Sequence, residues 1–559
     1  MAVSRSRAQR TFDAIVVGSG ITGGWAAKEL TGRGLRVLVL EAGRPVAPDT
    51  DYTEHVQAWE LPFRGRGDRR VMDRDQPIQK QCYACNEWGS KFFVNDLDNP
   101  YENDADKPFS WIRGRHVGGR SITWGRQVYR WSDLDFEANV RDGVGVDWPI
   151  RYRDIAPWYD HVERFIGVSG QAEGLAQLPD GRFLPPMQLR CAEEVVKEAM
   201  ARHWPGERVL TIGRCAVLTA PHRGRAPCHY CGPCERGCVT HSYFSSIGST
   251  LPAAYETGRL TLRPNSVVES VLYDSRRGRA RGVRVIDAET MAVTEFEGRI
   301  VFLCASALES TRLLLNSGLA NSSGQLGRNL MDHVFGAGAG GTMPGLESHR
   351  SFGSRPNGIY IPRFRNVRER HPAFLRGYGF QGGAGRSGWD RRLRGFGAAF
   401  KQSLIDDLGP WTFGIGGWGE CLPREDNYVA LHPTLRDKWG VPALRIQCTW
   451  GPNERALLED MQVAAAEILE AAGATGISTY NSNLPPGLCI HEMGTARMGR
   501  DPRTSVLNGW NQCHDVPNVF VTDGACMTSS ANQNPSITYM ALTARACDYA
   551  VRAMRRNEL

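Results

Sequence analysis

"FDAIVVGSGITGGWAAKELTGRGLRVLVLEAG", Phe12 to Gly43, is the stretch whose reading decides the fold. A short apolar run from Ala14 to Val17 reads as a buried strand, and a glycine turn follows it. Residues Gly23 to Leu30 read as a helix, and a second apolar run, Val37 to Leu40, ends in Glu41. Strand, turn, helix and strand in this order make a βαβ unit. Each glycine then has its own reason. Gly18 permits the tight turn, Gly20 lets a pyrophosphate approach the backbone at the positive end of the helix, and Gly23 allows close helix–strand packing. Glu41 is placed to accept hydrogen bonds from ribose hydroxyls. The unit implies an α/β fold that binds a dinucleotide, without choosing between a nicotinamide and a flavin.

Composition sets the limits around this start. A chain of 559 residues, 41% hydrophobic and 23% charged, can bury a large core or fold as two to three domains without covalent staples. The formal charge of +7 is spread along the chain. Its basic runs are short, such as Arg276 to Arg281, so nucleic acid is not expected as a partner. No run approaches the length of a membrane-spanning helix, and the basic stub from Met1 to Arg10 leads directly into a strand, so neither membrane insertion nor an export signal of its own is expected.

A second signal is "CHYCGPCERGC", Cys228 to Cys238, which places four of fifteen cysteines in one short segment. The spacing CxxCxxCxxxC is that of the bacterial ferredoxin run, with Val239 where a proline usually follows. Four thiolates this close suit an iron–sulfur cluster, whereas zinc more often takes separated CxxC pairs. A second pair, Cys82 and Cys85, keeps a zinc site open, and disulfides stay as a further alternative. Cys304, Cys448 and Cys547 sit in apolar patterns and read as free core thiols.

Segments far downstream carry a family resemblance. "GRHVGGRSITWGRQVYR" (Gly114 to Arg130), "VFLCASALESTRLLLNSG" (Val301 to Gly318), "GRNLMDH" (Gly327 to His333), "HEMGTARMG" (His491 to Gly499) and the segment from Asn518 to Ala550 resemble the glucose-methanol-choline (GMC) oxidoreductases, in family order across nearly the whole chain. The resemblance implies an α/β fold, α+β overall, with two domains. The Rossmann-like FAD-binding domain is assembled from 1–45, 107–135, 225–335 and 488–559. The substrate domain, with an antiparallel sheet, takes 46–106, 136–224 and 336–487. Residues Gly416 to Ile446 alternate as such a sheet would. Leu457, Met461, Ala465, Ile468 and Ala472 then mark the buried face of a helix.

The resemblance also implies roles. His491 matches the family histidine that serves as base facing the flavin, and Asn534 the partner that holds the substrate oxygen. Asparagine cannot take a proton at neutral pH, so the acid–base work falls on His491. Asp523 and Gly524 resemble the segment that contacts the ribityl chain and pyrophosphate, and Pro535 and Ser536 would lie near the flavin ring. Gly118, Gly119 and Ser121 resemble a flavin-contacting loop. Pyranose 2-oxidases have a histidine in the comparable position that bonds covalently to the flavin, and Thr123 stands there instead, so FAD is expected to be bound non-covalently.

Some relatives, FAD sugar dehydrogenases that donate to cytochromes, hold a three-iron cluster on three cysteines whose spacing matches Cys228, Cys234 and Cys238. Cys231 is additional, so [3Fe-4S] and [4Fe-4S] both remain open. In those enzymes a small subunit with a twin-arginine signal carries the flavoprotein across the membrane and a cytochrome c takes the electrons. By analogy this chain is expected to be periplasmic through co-export, with a cytoplasmic location as the alternative. The substrate expected from the resemblance is a pyranose or glycoside hydroxyl, at C3 or C2, as in a glycoside 3-dehydrogenase. The alternatives are an oxygen-consuming GMC oxidase and a cysteine-rich binding module. Trp411 and Trp418 are expected in the sheet that roofs the pocket, with ordinary core packing the favoured role for each, and the segment Arg44 to Asp106 over the site or in a subunit contact.

Overall fold

The computed structural model describes residues 11–57, 59–61, 68–386 and 394–559, and the basic stub expected before the first strand lies outside them. The opening unit forms as its apolar pattern dictates, with β1 (Thr11–Val17), α1 (Ile21–Gly32) and β2 (Val37–Leu40). The helix begins two residues before Gly23 and takes that glycine inside its first turn. A Cβ on Gly23 would sit 2.7 Å from the carbonyl carbon of Gly18. The turn and the helix therefore pack backbone to backbone at Gly23.

Later segments complete this sheet. They are β3 (Leu260–Arg263), β4 (Ser266–Asp274), β5 (Arg279–Asp287) and β6 (Val293–Leu303). The strand order is β3-β2-β1-β6-β5-β4, with Val519–Val521 paired to the end of β6. The β1 strand pairs in parallel with β2 and β6, and β6 pairs antiparallel with β5. Residues Ala14, Val16, Val37, Val39, Ile300 and Phe302 bury one face against α1 and the last helix of the chain. Both faces of the central parallel part are covered, which is why Ala14–Val17, Val37–Leu40 and Ile300–Leu303 are continuous apolar runs rather than alternating.

After α2 (Ala307–Ser317) the chain builds a second sheet. It contains β7 (Val334–Met343), β8 (Ile359–Ile361), β9 (Tyr378–Arg386) and β10 (Trp411–Gly419). The hairpin β11 (Tyr428–Arg436) and β12 (Pro442–Gln447) follows, then α3 (Pro452–Ala471), β13 (Thr475–Asn481) and finally α4 (Ser536–Arg555). The second sheet is antiparallel throughout, in the order β13-β7-β10-β9-β8 with Thr211–Ile212 at its edge. One of its faces packs on α3 through Leu457, Met461, Ala465 and Ile468. Ala472, the fifth residue expected on that face, is the C-cap of the helix and only half-buried.

One expectation is corrected here. Gly416 to Ile446 is not one continuous part of the second sheet. Its first residues belong to β10, whereas β11 and β12 form a two-stranded sheet of their own. They bury Val429, Leu444 and Ile446 with Leu308 of α2 and Leu330. Alternation identifies a strand but does not say which sheet receives it, because pairing is a long-range choice. Trp411 and Trp418 both stand on β10 of the second sheet. Successive residues of a strand face opposite sides, so Trp411 and Trp418 part company on β10. Trp411 enters the core under α3, and Trp418 faces the cavity described below.

Candidate active site

A cavity of about 700 Å³ is walled by the carboxyl ends of β1 and β2 on one side and by residues of β9 and β10 on the other. Gly18 and Gly20 of the glycine turn and Glu41 all line it. Gly18 adopts φ +96°, and a Cβ there would press on the Cys304 carbonyl, 2.9 Å from its carbon. Gly20 has ordinary φ, and its Cβ would meet only Gly119 Cα, at 3.9 Å. Gly23 lies behind the turn rather than in the wall.

Ser19 ties this turn to the second predicted loop. Its hydroxyl donates to Glu41 Oε2 at 2.6 Å and accepts from the Gly118 amide at 3.0 Å. Gly118 itself supports the wall from behind, with φ +88° and a Cβ position 2.8 Å from Ile247. Gly119 and Ser121 reach the cavity. Glu41 also accepts from the amides of Ser19 and Gly43, and burial pushes its carboxyl above the usual range.

Two helices open their N-termini onto the same space. Gly20 caps α1 without a side-chain hydrogen bond and the first turn holds no acid, while Pro535 caps α4, also without one. Backbone N–H groups and the positive end of each helix dipole are thus left for an anionic or acceptor-rich ligand. Asn534, Pro535 and Ser536 line the cavity at the start of α4, and so do Asp523 and Gly524. Asp523 accepts from the Ala525 amide at 3.1 Å and from the Ser310 hydroxyl, and burial raises it to about 6. The Tyr539 hydroxyl and Arg115 Nη1, both on residues that line the cavity, are buried without a partner among the described residues. Such groups are costly unless something polar meets them. Uncapped helices, unpartnered polar groups and the open space over Gly20 together fit a dinucleotide.

His491, Trp418 and Gln381 all line the cavity. The His491 segment is fixed by a buried carboxylate, Asp332, at the end of "GRNLMDH". Asp332 Oδ1 accepts from the amides of His333 at 2.9 Å and His491 at 3.1 Å, and Oδ2 from those of Gly487 at 2.8 Å and Cys489 at 3.2 Å. Burial and the neighbouring Glu492 push Asp332 up to about 7 against these four donors. The His491 ring stands 79° to that of His333, with the two Nδ1 atoms 2.9 Å apart and Cys489 Sγ 3.4 Å from His491 Nδ1. These three side chains bring nitrogen and sulfur atoms within 4.8 Å of one another. Burial, with His333 and the Arg120 guanidinium nearby, holds His491 well below the usual histidine range, so it is neutral at pH 7. A neutral imidazole facing a cavity can accept a proton. Asn534 Oδ1 accepts from Gln381 Nε2 at 2.7 Å, which leaves the asparagine N–H groups free to donate into the cavity. Thr123 also lines it.

The cysteine loop sits behind this chamber. Cys228, Cys231, Cys234 and Cys238 line one small cavity of about 20 Å³, together with Glu54, Tyr243 and Pro356. Pro356 also lines the main cavity. Cys231 is exposed and the other three are half-buried. Burial, the neighbouring thiols and the Tyr230 amide act on Cys228, with burial foremost, and it rises to about 11. Arg126 lines the main cavity, and its guanidinium favours the thiolate form of Cys234 against the burial that pushes this thiol up.

The other cysteines lie elsewhere. Cys82 and Cys85 form a buried turn closed by the Cys85 amide on the Cys82 carbonyl at 3.0 Å, among Tyr52, Phe92 and Ile112. Neither lines the cavity of the other four, so the two pairs do not combine into one site. Cys304, Cys448 and Cys547 are buried, and all fifteen cysteines are free thiols. The segment Arg44 to Asp106 contributes Cys82, Tyr83, Phe93 and Val94 to the main cavity and Glu54 to the small one, so it covers both, apart from residues 58 and 62–67, which lie outside the described residues.

Three residues of the site carry no role in the sequence reading: Asp332, His333 and Gln381. The first two stand in "GRNLMDH", where an adjacent acid and histidine offered a signal. Gln381, in a strand of mixed small and aromatic residues, offered none.

Two family models, both described as GMC oxidoreductase, match residues 12–335 and 423–543. The chain is 30% identical over 585 residues to 2-methyl-1,2-propanediol dehydrogenase of Mycolicibacterium austroafricanum, covering 97% of this chain and 95% of that protein. It is 26% identical over 584 residues to the fructose dehydrogenase large subunit of Gluconobacter japonicus, covering 98% of each. Among solved structures, pyridoxine 4-oxidase from Mesorbium loti shares the fold, with a TM-score of 0.58 and 18% identity over 97% of this chain and 99% of that one.

Proposed function

The chain belongs to the GMC oxidoreductase family, and from that premise we propose that it is an FAD-dependent dehydrogenase oxidising a ring hydroxyl of a sugar or glycoside, at C3 or C2, to a ketone. The observation that carries this reading is the single cavity into which the glycine turn, two uncapped helix N-termini and the neutral His491 all open. FAD, when bound, supplies the acceptor for the substrate's hydride. Glu41 would hold ribose hydroxyls, the N-terminus of α1 the pyrophosphate, and the start of α4 the flavin end. His491 takes the hydroxyl proton, Asn534 donates to the substrate oxygen, and Trp418 offers an apolar face to the sugar ring. Thr123 offers no imidazole for a covalent bond, so FAD is held non-covalently. In this reading residues 1–45, 107–135, 225–335 and 488–559 form the FAD-binding domain and 46–106, 136–224 and 336–487 the substrate domain.

Electrons would leave through an iron–sulfur cluster, [3Fe-4S] or [4Fe-4S], held by Cys228, Cys231, Cys234 and Cys238. The four thiols face one small cavity that shares Pro356 with the main one. No three of their sulfurs fall within 4.8 Å of one another. A tetrahedral zinc site would need sulfurs about 3.8 Å apart, so the loop is not preset for a single ion. Cys231 is the exposed member of the four. The likeness to a dehydrogenase large subunit supports a partner subunit. In the same proposal that partner is a small subunit with a twin-arginine signal, the electron acceptor is a cytochrome c and the location is periplasmic.

Anaerobic purification followed by an absorption spectrum and iron and zinc counts tests this reading. Flavin bands with a broad shoulder and bound iron are expected, and a colourless protein would end it. His491→Ala should keep FAD and slow anaerobic flavin reduction by sugar about a hundredfold to ten-thousandfold. Cys234→Ser should leave that reduction intact and block transfer to a cytochrome. Turnover with oxygen but not with one-electron acceptors would identify an oxidase instead.

A further inference from the structure

His333 is 0% exposed and lies directly before β7. Its Nε2 is 3.1 Å from the carbonyl oxygen of Ser530. Ser530 is itself anchored, because its hydroxyl accepts from the Cys421 amide and donates to the Cys421 carbonyl, each at 3.1 Å. A carbonyl oxygen only accepts, so Nε2 of His333 carries the hydrogen. Burial holds this imidazole down to about 4, so at neutral pH it has one ring hydrogen and Nδ1 is a bare acceptor.

That acceptor faces Nδ1 of His491 at 2.9 Å. A nitrogen–nitrogen contact of this length is a hydrogen bond and needs one hydrogen. His333 has none to give, so His491 supplies it. Nδ1 of His491 is then the N–H position, and Nε2 keeps its lone pair. Nε2 has no hydrogen-bond partner among the described residues, while the ring lines the cavity.

We infer that His333 is a positioning residue that fixes the tautomer of His491, through the chain Ser530 carbonyl, His333 and His491, so that Nε2 presents its lone pair to the substrate hydroxyl. When the alcohol O–H breaks, the proton forms an Nε2–H bond on His491. The Nδ1–H···N bond to His333 then becomes charge-assisted and stronger. The other groups around the ring do not compete for this role. Cys489 Sγ, at 3.4 Å, is a weak acceptor of the same N–H, Asp332 binds only the backbone of His491, and Arg120 is engaged by Glu492.

The inference rests on His491 acting as the base, and two measurements separate its failure from the failure of that reading. In the holoenzyme at pH 8, nitrogen-15 spectra of labelled histidines, assigned by loss of signal in His491→Ala, should show His491 with protonated Nδ1 and unprotonated Nε2. The opposite tautomer, or a mixture, overturns the inference even if His491→Ala abolishes flavin reduction. Conversely, a fixed Nδ1–H tautomer with undiminished reduction in His491→Ala leaves the lock standing and removes the base. His333→Leu should retain FAD, mix the two tautomers and slow flavin reduction by about 10²- to 10⁴-fold, the range for a misoriented or wrongly protonated base. His333→Asn, which returns an acceptor oxygen, should recover at least about tenfold of that loss. Reduction by His333→Leu at the wild-type rate overturns the inference. If that variant does not fold, the wild-type spectrum still decides.

Discussion

Alanine at Gly18 and at Gly20, with alanine at Gly34 beyond α1 as the reference, separates folding from cofactor binding in the first turn. Gly18 and Gly34 have nearly the same backbone, φ +96° and +94°, so both carry the left-handed penalty of about 1–2 kcal/mol for a residue with a Cβ. Their surroundings differ. A Cβ on Gly34 meets nothing within 4 Å, whereas one on Gly18 presses on the Cys304 carbonyl and comes within 3.1 Å of Ala305 Cα. Both neighbours are backbone at the end of β6 and cannot swing away, which adds the roughly 1–3 kcal/mol of an overpacked site. Gly18→Ala should therefore cost about 2–5 kcal/mol and Gly34→Ala about 1–2 kcal/mol. Gly20 has ordinary φ and open space out to Gly119 at 3.9 Å. Gly20→Ala should melt within about 1 kcal/mol of wild type yet lose FAD, because its methyl group stands where the pyrophosphate would approach. Urea midpoints of the flavin-free proteins and FAD titrations of all three give the comparison. If Gly18→Ala matches Gly34→Ala in stability, the steric reasoning fails. If Gly20→Ala binds FAD as tightly as wild type, the cofactor does not cross that turn.

Two further outcomes follow from buried charges. Burial holds His116 down to about 4 against about 6.5 when unfolded, so the unfolded chain binds the extra proton first. Its contribution is complete above about pH 6.5 and is lost as the pH falls toward 4, on the order of 3 kcal/mol. Asp332 and Asp523, raised to about 7 and about 6, act in the opposite sense. The measurement is thus the difference in urea midpoint between wild type and His116→Asn, which should move against wild type by this amount between pH 7 and 4.5, and a constant difference would refute it. Arg120 grips Glu492 with two hydrogen bonds, at 3.2 and 2.9 Å. Lysine cannot reproduce the fork, so Arg120→Lys should lower stability by about 1–3 kcal/mol in thermal unfolding, and no change would mean the pair is not coupled.

The features legible in the chain by itself are those held within one short segment. The apolar runs, the helix spacing and the glycines of Phe12 to Gly43 specify the opening βαβ unit because hydrogen bonds and steric limits act over neighbouring residues. The density of cysteines between Cys228 and Cys238 likewise needs no partner segment to be seen. Tertiary structure decided the rest. It sent β11 and β12 to a separate hairpin, buried Trp411 while turning Trp418 to the cavity, and left Cys82 and Cys85 apart from the other thiols. It also placed His333 against His491 across 158 residues of chain and Gln381 against Asn534 across 153. Contacts of that range depend on which faces of which sheets meet, a choice made by burial of the whole core rather than by any local pattern.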